Sequence, residues 1–224
     1  MQDIVESLSQ TIREAASQHR TLCIRGGGTK EFYGGDIRGD ILDTSSYLGI
    51  VDYEPTELVI TARAGTSLAE IETAMREKGQ MLAFEPPHFG SAATLGGCVA
   101  AGLSGPRRAY AGAIRDLVLG VRLLDGRGND VKFGGRVMKN VAGYDVSRLM
   151  AGSLGTLGVI LEVSLKALPL PVAEFTLRRE QTQPEAIALM NEWAGKPLPL
   201  SATCHIGNAL YVRLSGAAAA VRAA

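Results

Sequence analysis

Three consecutive glycines follow an apolar tetrapeptide in this chain, and they constrain its fold more than any other feature. Thr21-Leu22-Cys23-Ile24 reads as a short buried strand. Arg25-Gly26-Gly27-Gly28-Thr29 ends it with a backbone that carries no Cβ at three successive positions. Such a stretch turns sharply and brings its N–H groups close to something large and anionic. Two further glycine-rich stretches, Ala93-Thr94-Leu95-Gly96-Gly97 and Gly152-Ser153-Leu154-Gly155-Thr156-Leu157-Gly158, lie well downstream. Three loops of this kind in one chain point to a dinucleotide held from several sides.

Composition agrees. The 224 residues include 27 glycines but only 5% aromatics, which suits tight turns and close backbone approaches better than a stacking surface. With 46% hydrophobic and 21% charged residues, the chain can bury the core of one or two globular domains. Its 23 basic and 23 acidic side chains cancel, so bulk charge makes no case for nucleic acid as a partner. Cys23, Cys98 and Cys204 are far apart and form no Cys-x-x-Cys pair. That argues against a disulfide framework, a zinc site or a local iron–sulfur cluster; no metal ligands are expected, and a reducing cytoplasm is the expected compartment. Met1-Gln2-Asp3-Ile4-Val5-Glu6 is acidic and amphipathic, unlike a signal peptide. No uncharged apolar run is long enough to cross a bilayer, which leaves peripheral attachment to a membrane complex open.

Hydrophobic spacing predicts a helix over residues 3–18 and strands at 21–25, 41–42, 49–53 and 58–64. Ser67 with Glu70 three residues on is a capping box that opens a helix ending at Gly79. Pro86 and Pro87 keep residues 84–90 irregular. Residues 117–124 and 131–133 form a hairpin about Asp125-Gly126-Arg127-Gly128-Asn129. A short helix over 144–151 precedes a strand over 159–168, where Glu162, Ser164 and Lys166 alternate with Leu161, Val163 and Leu165. Pro169-Leu170-Pro171 reads as a boundary. Beyond it, a strand, a helix opened by Thr182-Gln183-Pro184-Glu185, two strands around Gly207-Asn208 and an alanine-rich helical start form an incomplete second domain.

Known phosphate motifs do not account for the glycines. A nicotinamide-type fingerprint needs Gly-x-Gly-x-x-Gly between strand and helix with an acidic residue about 20 positions on, and residues 26–35 do not supply it. The Gly-Lys-Ser/Thr of a P-loop is absent. The ordered series does match a family. Arg25 to Thr29, Glu85-Pro86-Pro87, Ala93 to Gly97, Ile114-Arg115-Asp116-Leu117-Val118-Leu119-Gly120 with Asp125-Gly126, and Gly152 to Ile160 together resemble the FAD-binding domain of the p-cresol methylhydroxylase/vanillyl-alcohol oxidase (PCMH) type. The linking segments Pro106-Arg107-Arg108-Ala109-Tyr110 and Val137 to Asp145 are similar to the FAD-binding subunits of bacterial glycolate oxidases.

The resemblance implies an α+β fold in which two subdomains, about 1–82 and 83–170, clamp FAD, with 171–224 as a partial substrate or cap domain. Carried over by position, Arg25, Gly26, Gly27, Gly28 and Thr29 offer main-chain N–H groups to the pyrophosphate, and Ala93, Thr94, Gly96 and Gly97 face it from the other side. Pro86 and Pro87 lie near the flavin ring; Gly155, Gly158, Val159 and Ile160 pass the adenine end. Glycine suits these places because a Cβ would hold the ligand away. Some relatives tether FAD through a histidine just after the glycine loop; here Lys30 stands there, so FAD is expected to be non-covalent.

The implied activity is oxidation of a small 2-hydroxy acid, glycolate to glyoxylate. Electrons would leave to a second flavin subunit, an iron–sulfur subunit or a quinone, in the cytoplasm or peripherally at the inner membrane. Candidates for catalysis are His88, beside the two prolines, and Arg107 and Arg108. The arginines admit two readings: a solvated basic turn, or a clamp on the substrate carboxylate or the reduced flavin. Asp116 and Asp145 read as caps, Lys139 and Asn140 carry only the family likeness, and Ser104 and Ser153 lack the partners hydrolysis needs. The catalytic base and metal-binding histidines of such enzymes usually lie in a C-terminal substrate domain, a pattern that His205 alone does not reproduce. Two rival readings are a non-catalytic assembly module that kept the fold, and a flavin reductase of a nucleotide sugar that oxidises NADPH.

Overall fold

The computed structural model describes residues 1–36, 38–135 and 144–224; Lys139 and Asn140 lie outside the described residues. Helix α1 (Gln2–Ser17) leads into strands β1 (Leu22–Arg25) and β2 (Asp40–Asp43), which pair in parallel. Strands β3 (Ile50–Glu54) and β4 (Val59–Arg63), helix α2 (Leu68–Glu77) and the short β5 (Gln80–Met81) follow. The glycine- and alanine-rich stretch after the double proline contains helix α3 (Leu95–Ala101). Short helices α4 (Arg108–Ala111) and α5 (Ile114–Leu117) lead to the hairpin of β6 (Val118–Leu124) and β7 (Asp130–Gly134). Then come α6 (Val146–Leu149), β8 (Val159–Lys166) and β9 (Leu168–Pro169). The chain closes with β10 (Ala173–Glu180), α7 (Gln183–Ala194), β11 (Leu200–Ile206), β12 (Ala209–Gly216) and α8 (Ala218–Ala223).

The main sheet is antiparallel, in the order β3-β4-β8-β6-β7. It takes strands from both sides of residue 82, so the ladder between β4 and β8 joins the two segments. Ile60, Val163, Leu165 and Val121 on this sheet bury against Leu68, Ile71 and Met75 of α2 and Leu95 and Val99 of α3, with Phe84 fully enclosed. Each such side chain contributes on the order of 1.5–3 kcal/mol when removed from water. The stripe Val5, Leu8, Ile12 and Ala15 of α1, spaced three and four apart, is buried, and the first three join a second core with Leu42, Leu124 and Leu161. Ser9 sits in the same face and donates its hydroxyl to the Gly128 carbonyl at 2.6 Å, fastening the β6–β7 turn to α1.

Residues 173–216 form a separate three-stranded antiparallel sheet, β10-β12-β11. Its own core is Ala186, Leu200, Leu210, Val212, Leu214 and Val221. This sheet meets the rest of the chain through charge. Arg107, with a side chain 11% exposed, reaches Glu85 Oε1 at 3.3 Å, Glu174 Oε2 at 2.7 Å and Ser215 Oγ at 3.0 Å. Arg213 closes the group on Glu85 Oε1 at 2.7 Å.

Candidate functional site

The cleft of the molecule opens where β1 ends. It has a volume of about 360 Å³. Arg25, Gly26, Gly27, Gly28 and Thr29 form one wall, Thr94, Gly96 and Gly97 another, and Gly155, Gly158 and Ile160 a third. The three glycine stretches, distant in sequence, are thus brought together. Thr44 ties the strand end in place, donating from its N–H and its hydroxyl to the Arg25 carbonyl at 2.9 and 3.2 Å.

The walls differ in what they offer. Among the described residues, the main-chain N–H groups of Gly26, Gly27, Gly28 and Thr29 donate no hydrogen bond. On the facing wall the amides are occupied: Leu95 donates to the Thr66 carbonyl at 2.9 Å, Gly96 to the Ala64 carbonyl at 2.8 Å, and Gly97 to Thr94 Oγ1 at 3.3 Å. The first loop therefore supplies the donors and the second supplies surface.

The reason for glycine at the first loop also changes. A Cβ on Gly27 would lie 1.5 Å from the Ala92 carbonyl oxygen, and one on Gly26 2.5 Å from Thr94 Oγ1. The space a side chain would fill belongs to the facing loop rather than to a ligand. Glycine here lets two stretches of backbone touch, which presses the free amides of the first loop into the cleft wall.

Several expected residues lie elsewhere. Pro86 is buried and Pro87 half-buried, and neither lines the cleft. Ala93 is in the core beneath α3, and Val159 is in the α1 core. His88 is not a free base: its Nε2 lies 3.2 Å from Glu72 Oε1 on α2, outside the cleft lining. Arg107 is neither a solvated turn nor an available clamp, because its guanidinium is spent on Glu85, Glu174 and Ser215. Arg108 is exposed on α4 and away from the cleft. Asp145 accepts from the Arg148 N–H at 3.2 Å and Asp116 from the Ala113 N–H at 2.9 Å, both as caps.

Other lining residues, Lys30 apart, were not among the site residues expected from the sequence. Lys30 and Glu31 continue the loop, Cys23 lies in β1, and Tyr33, Asp36 and Arg38 follow. Arg25 Nε pairs with Glu31 Oε1 at 2.7 Å, and Arg38 with Asp36 at 3.3 Å. Burial lowers the Lys30 ammonium below its ordinary pKa, partly offset by the nearby Cys98. Cys98, buried in α3, has its thiol pushed up to about 12 by desolvation, with Lys30 opposing and Glu72 adding to the rise. Position next to the glycine loop was the one signal that pointed to Lys30; the other lining side chains depend on how loops fold back.

A family described as FAD binding domain matches residues 4–134. The chain belongs to that family. Similar in sequence is glycolate oxidase subunit GlcE of Escherichia coli (strain K12), 51% identical over 222 residues, covering 99% of this chain and 63% of GlcE. Glycolate oxidase subunit GlcD of Bacillus subtilis is 31% identical over 72% of this chain and 35% of that protein. D-lactate dehydrogenase of Archaeoglobus fulgidus is 30% identical over 88% of this chain and 44% of that protein. The chain thus spans 63% of GlcE and under half of the other two. Among solved structures, an alkyldihydroxyacetonephosphate synthase superposes with a TM-score of 0.74 at 17% identity, over 97% of this chain and 46% of that one, a likeness of fold. The α+β, PCMH-type FAD-binding fold expected from the glycine series is the one found.

FAD is accordingly the cofactor, and the cleft can be tested for it. Four successive unspent N–H groups suit a diphosphate, whose oxygens only accept. The wall carries cations as well as amides. The residues present fit the group.

Proposed function

We propose that this chain forms the FAD-holding part of a 2-hydroxy-acid oxidase, specifically a subunit of a glycolate oxidase complex, with glycolate converted to glyoxylate. The observation that carries this reading is the 51% identity to GlcE across 99% of the chain. The likeness to GlcD and to D-lactate dehydrogenase supports the 2-hydroxy-acid class. FAD, when bound, supplies a two-electron acceptor for the hydride from the substrate α-carbon. The chain's own part is binding. The amides of Gly26, Gly27, Gly28 and Thr29 hold the diphosphate, the Thr94, Gly96 and Gly97 wall excludes water behind it, and the Gly155 to Ile160 wall backs the adenine end. FAD is held without a covalent bond, with Lys30 at the position where a tethering histidine would stand.

Residues 1–170 act as the FAD-binding part and 171–224 as the start of a cap or substrate domain. Electrons pass to a partner, a second flavin subunit or an iron–sulfur subunit, with the complex in the cytoplasm or peripheral at the membrane. Among the described residues, no helix is long and apolar enough to cross a membrane.

One observation favours a narrower role within this reading. No histidine lines the cleft among the described residues, and His88 and Arg107 are committed to Glu72, Glu85 and Glu174. The chain holds FAD, and the base that takes the substrate hydroxyl proton comes from outside these residues.

The test is to purify the chain alone and with its cellular partners, record the flavin spectrum, and add glycolate or D-lactate anaerobically. Flavin in both preparations with bleaching only in the complex is the expected result. A colourless chain that takes up no added FAD would overturn the proposal.

A further inference from the structure

Strand β10 is an open edge. It lies at one end of the three-stranded C-terminal sheet and, among the described residues, pairs with β12 alone. All of its residues but Ala173 are exposed. Phe175 and Leu177 stand opposite Leu214 and Val212 of β12, on the face where those two residues join the core, yet they are 56% and 55% exposed. The apolar layer of this sheet therefore stops half-covered at its edge. Common safeguards of an edge are missing: the strand has no proline or lysine, and its ladder with β12 has no bulge. The cleft-bearing part does not shield it. Helix α4 packs against β11, the opposite edge strand, and Arg107 reaches β10 at Glu174.

Main-chain direction decides what can pair there. The Gln181 N–H donates to the Asn208 carbonyl at 3.1 Å, continuing the β10–β12 register. Ser215, opposite Glu174, donates away from β10 to the Pro199 carbonyl at 2.8 Å. Alternation along an antiparallel ladder then turns the N–H and C=O groups of Glu174, Thr176, Arg178 and Glu180 outward. An incoming strand must meet them with outward groups of its own, and a second copy of β10 does so. Centred on Thr176, two copies set Glu174 opposite Arg178 and Phe175 opposite Leu177, a charge pair on one face and an apolar pair on the other. Centring on Glu174 or Arg178 faces like charges, centring on Leu177 faces Glu174 with Glu180, and centring on Phe175 leaves Glu174 and Arg178 unmatched. Arg178 is available for the pairing, because its ion-pair partner among the described residues is Glu180, at 3.9 Å.

We propose that β10 pairs antiparallel with β10 of a second copy of this chain, about a two-fold axis at Thr176, so that the C-terminal sheet runs on from one protomer into its partner. The contact is isologous, each copy giving the other the same groups, and it ends at two because the edge is consumed. The half-covered layer of Phe175 and Leu177 continues across the axis onto its counterpart. The inference stands on the edge strand and is independent of what the cleft holds.

The test uses the full chain as purified. Sedimentation or light scattering over a concentration series should show a dimer. Thr176→Pro removes an outward N–H, leaves the β12 ladder intact and should give a monomer. Arg178→Glu faces Glu174 with a like charge on both sides of the axis and should weaken association on the order of tenfold. Circular dichroism monitors folding. Cysteine pairing reads the register in a Cys204→Ser background, which removes the exposed thiol. Residues facing each other across such a ladder have Cα atoms about 5.5 Å apart, within disulfide reach. Mild oxidation should therefore cross-link Thr176→Cys and spare Glu180→Cys, a readout that stands even if Thr176→Pro does not fold. A wild type that stays monomeric would overturn the proposal, as would a dimer indifferent to Arg178→Glu or cross-linked at Glu180→Cys instead of Thr176→Cys. Exchange protection of β10 amides gained only with the cellular partners present would overturn it too, by giving the edge to a different protein.

Discussion

At the scale of single residues, Gly27 and Cys98 show how position decides meaning. A methyl group at Gly27 collides with the Ala92 carbonyl, which belongs to protein and not to cofactor. Gly27→Ala should therefore lower stability by at least about 2 kcal/mol even without FAD, because two loops must part to admit it. Denaturant unfolding of the flavin-free variant checks this; unchanged apo stability combined with lost FAD would return the glycine to a purely ligand-facing role. Cys98 is surrounded by core and its thiol is raised to about 12, so it stays protonated and unreactive through the neutral range. Cys204 is exposed. Alkylation near pH 8 followed by mass spectrometry should label Cys204 and spare Cys98 until the chain is unfolded.

At the scale of elements, capping fixes where helices begin, and the cleft walls depend on it. Ser67 Oγ accepts from the Glu70 N–H at 3.1 Å at the start of α2. The adjacent residues are tied to the facing loop, with Leu68 N–H donating to the Ala93 carbonyl and Leu95 N–H to the Thr66 carbonyl, both at 2.9 Å. Ser67→Ala should cost about 1 kcal/mol of stability, read from a thermal or denaturant melt. Because that cap adjoins the second wall, the same variant should show faster amide exchange at residues 93–97. A normal exchange pattern there would mean that the cap and the wall are independent. In α7 the cap works in the other direction: Glu185 accepts from the Thr182 N–H at 3.2 Å and from its hydroxyl at 2.5 Å.

At the scale of the whole molecule, the Glu85 cluster joins the cleft-bearing part to the C-terminal sheet. Burial alone would raise the Glu85 carboxyl, but hydrogen bonds from Arg213 and from the Arg107 backbone, with both positive charges, outweigh it and hold the group below the usual carboxylate range. A group whose folded pKa is depressed contributes stability above its unfolded pKa and loses it as pH falls through the folded value. Docking of residues 173–216 should therefore weaken on acidification below the ordinary glutamate range and stay constant at neutral pH. Hydrogen exchange of β10 and β12 against pH reads this, and Glu85→Gln should remove the acid-dependent step. Arg107→Met should be more damaging, by about 3 kcal/mol, because it leaves Glu85 and Glu174 short of a partner in a part-buried site. An acid limb that persists in Glu85→Gln would assign it to other carboxylates.

Much of this was legible in the chain itself. The spacing of Val5, Leu8, Ile12 and Ala15, the Ser67 cap, the Asp125 to Asn129 turn and the alternation along β8 are local signals, set by backbone period and hydrogen-bonding chemistry, and each became the element expected. The order of the glycine stretches likewise carried the cofactor class, because phosphate binding by main chain depends on removing side chains and leaves that mark in sequence. The short period of α3 was hidden by its glycines and alanines, which carry little amphipathic contrast. What only the tertiary structure decided is which groups remain unspent. Arg107 and His88 look available in a string of letters, yet they are claimed by Glu174, a neighbour 67 residues away, and by Glu72 on helix α2. Lys30 looks incidental, yet it donates to the His88 carbonyl and lies beside the Phe89 ring, and no carboxylate among the described residues pairs with it. Whether a charge is matched depends on contacts between segments distant in sequence, and those are fixed only when the sheets close.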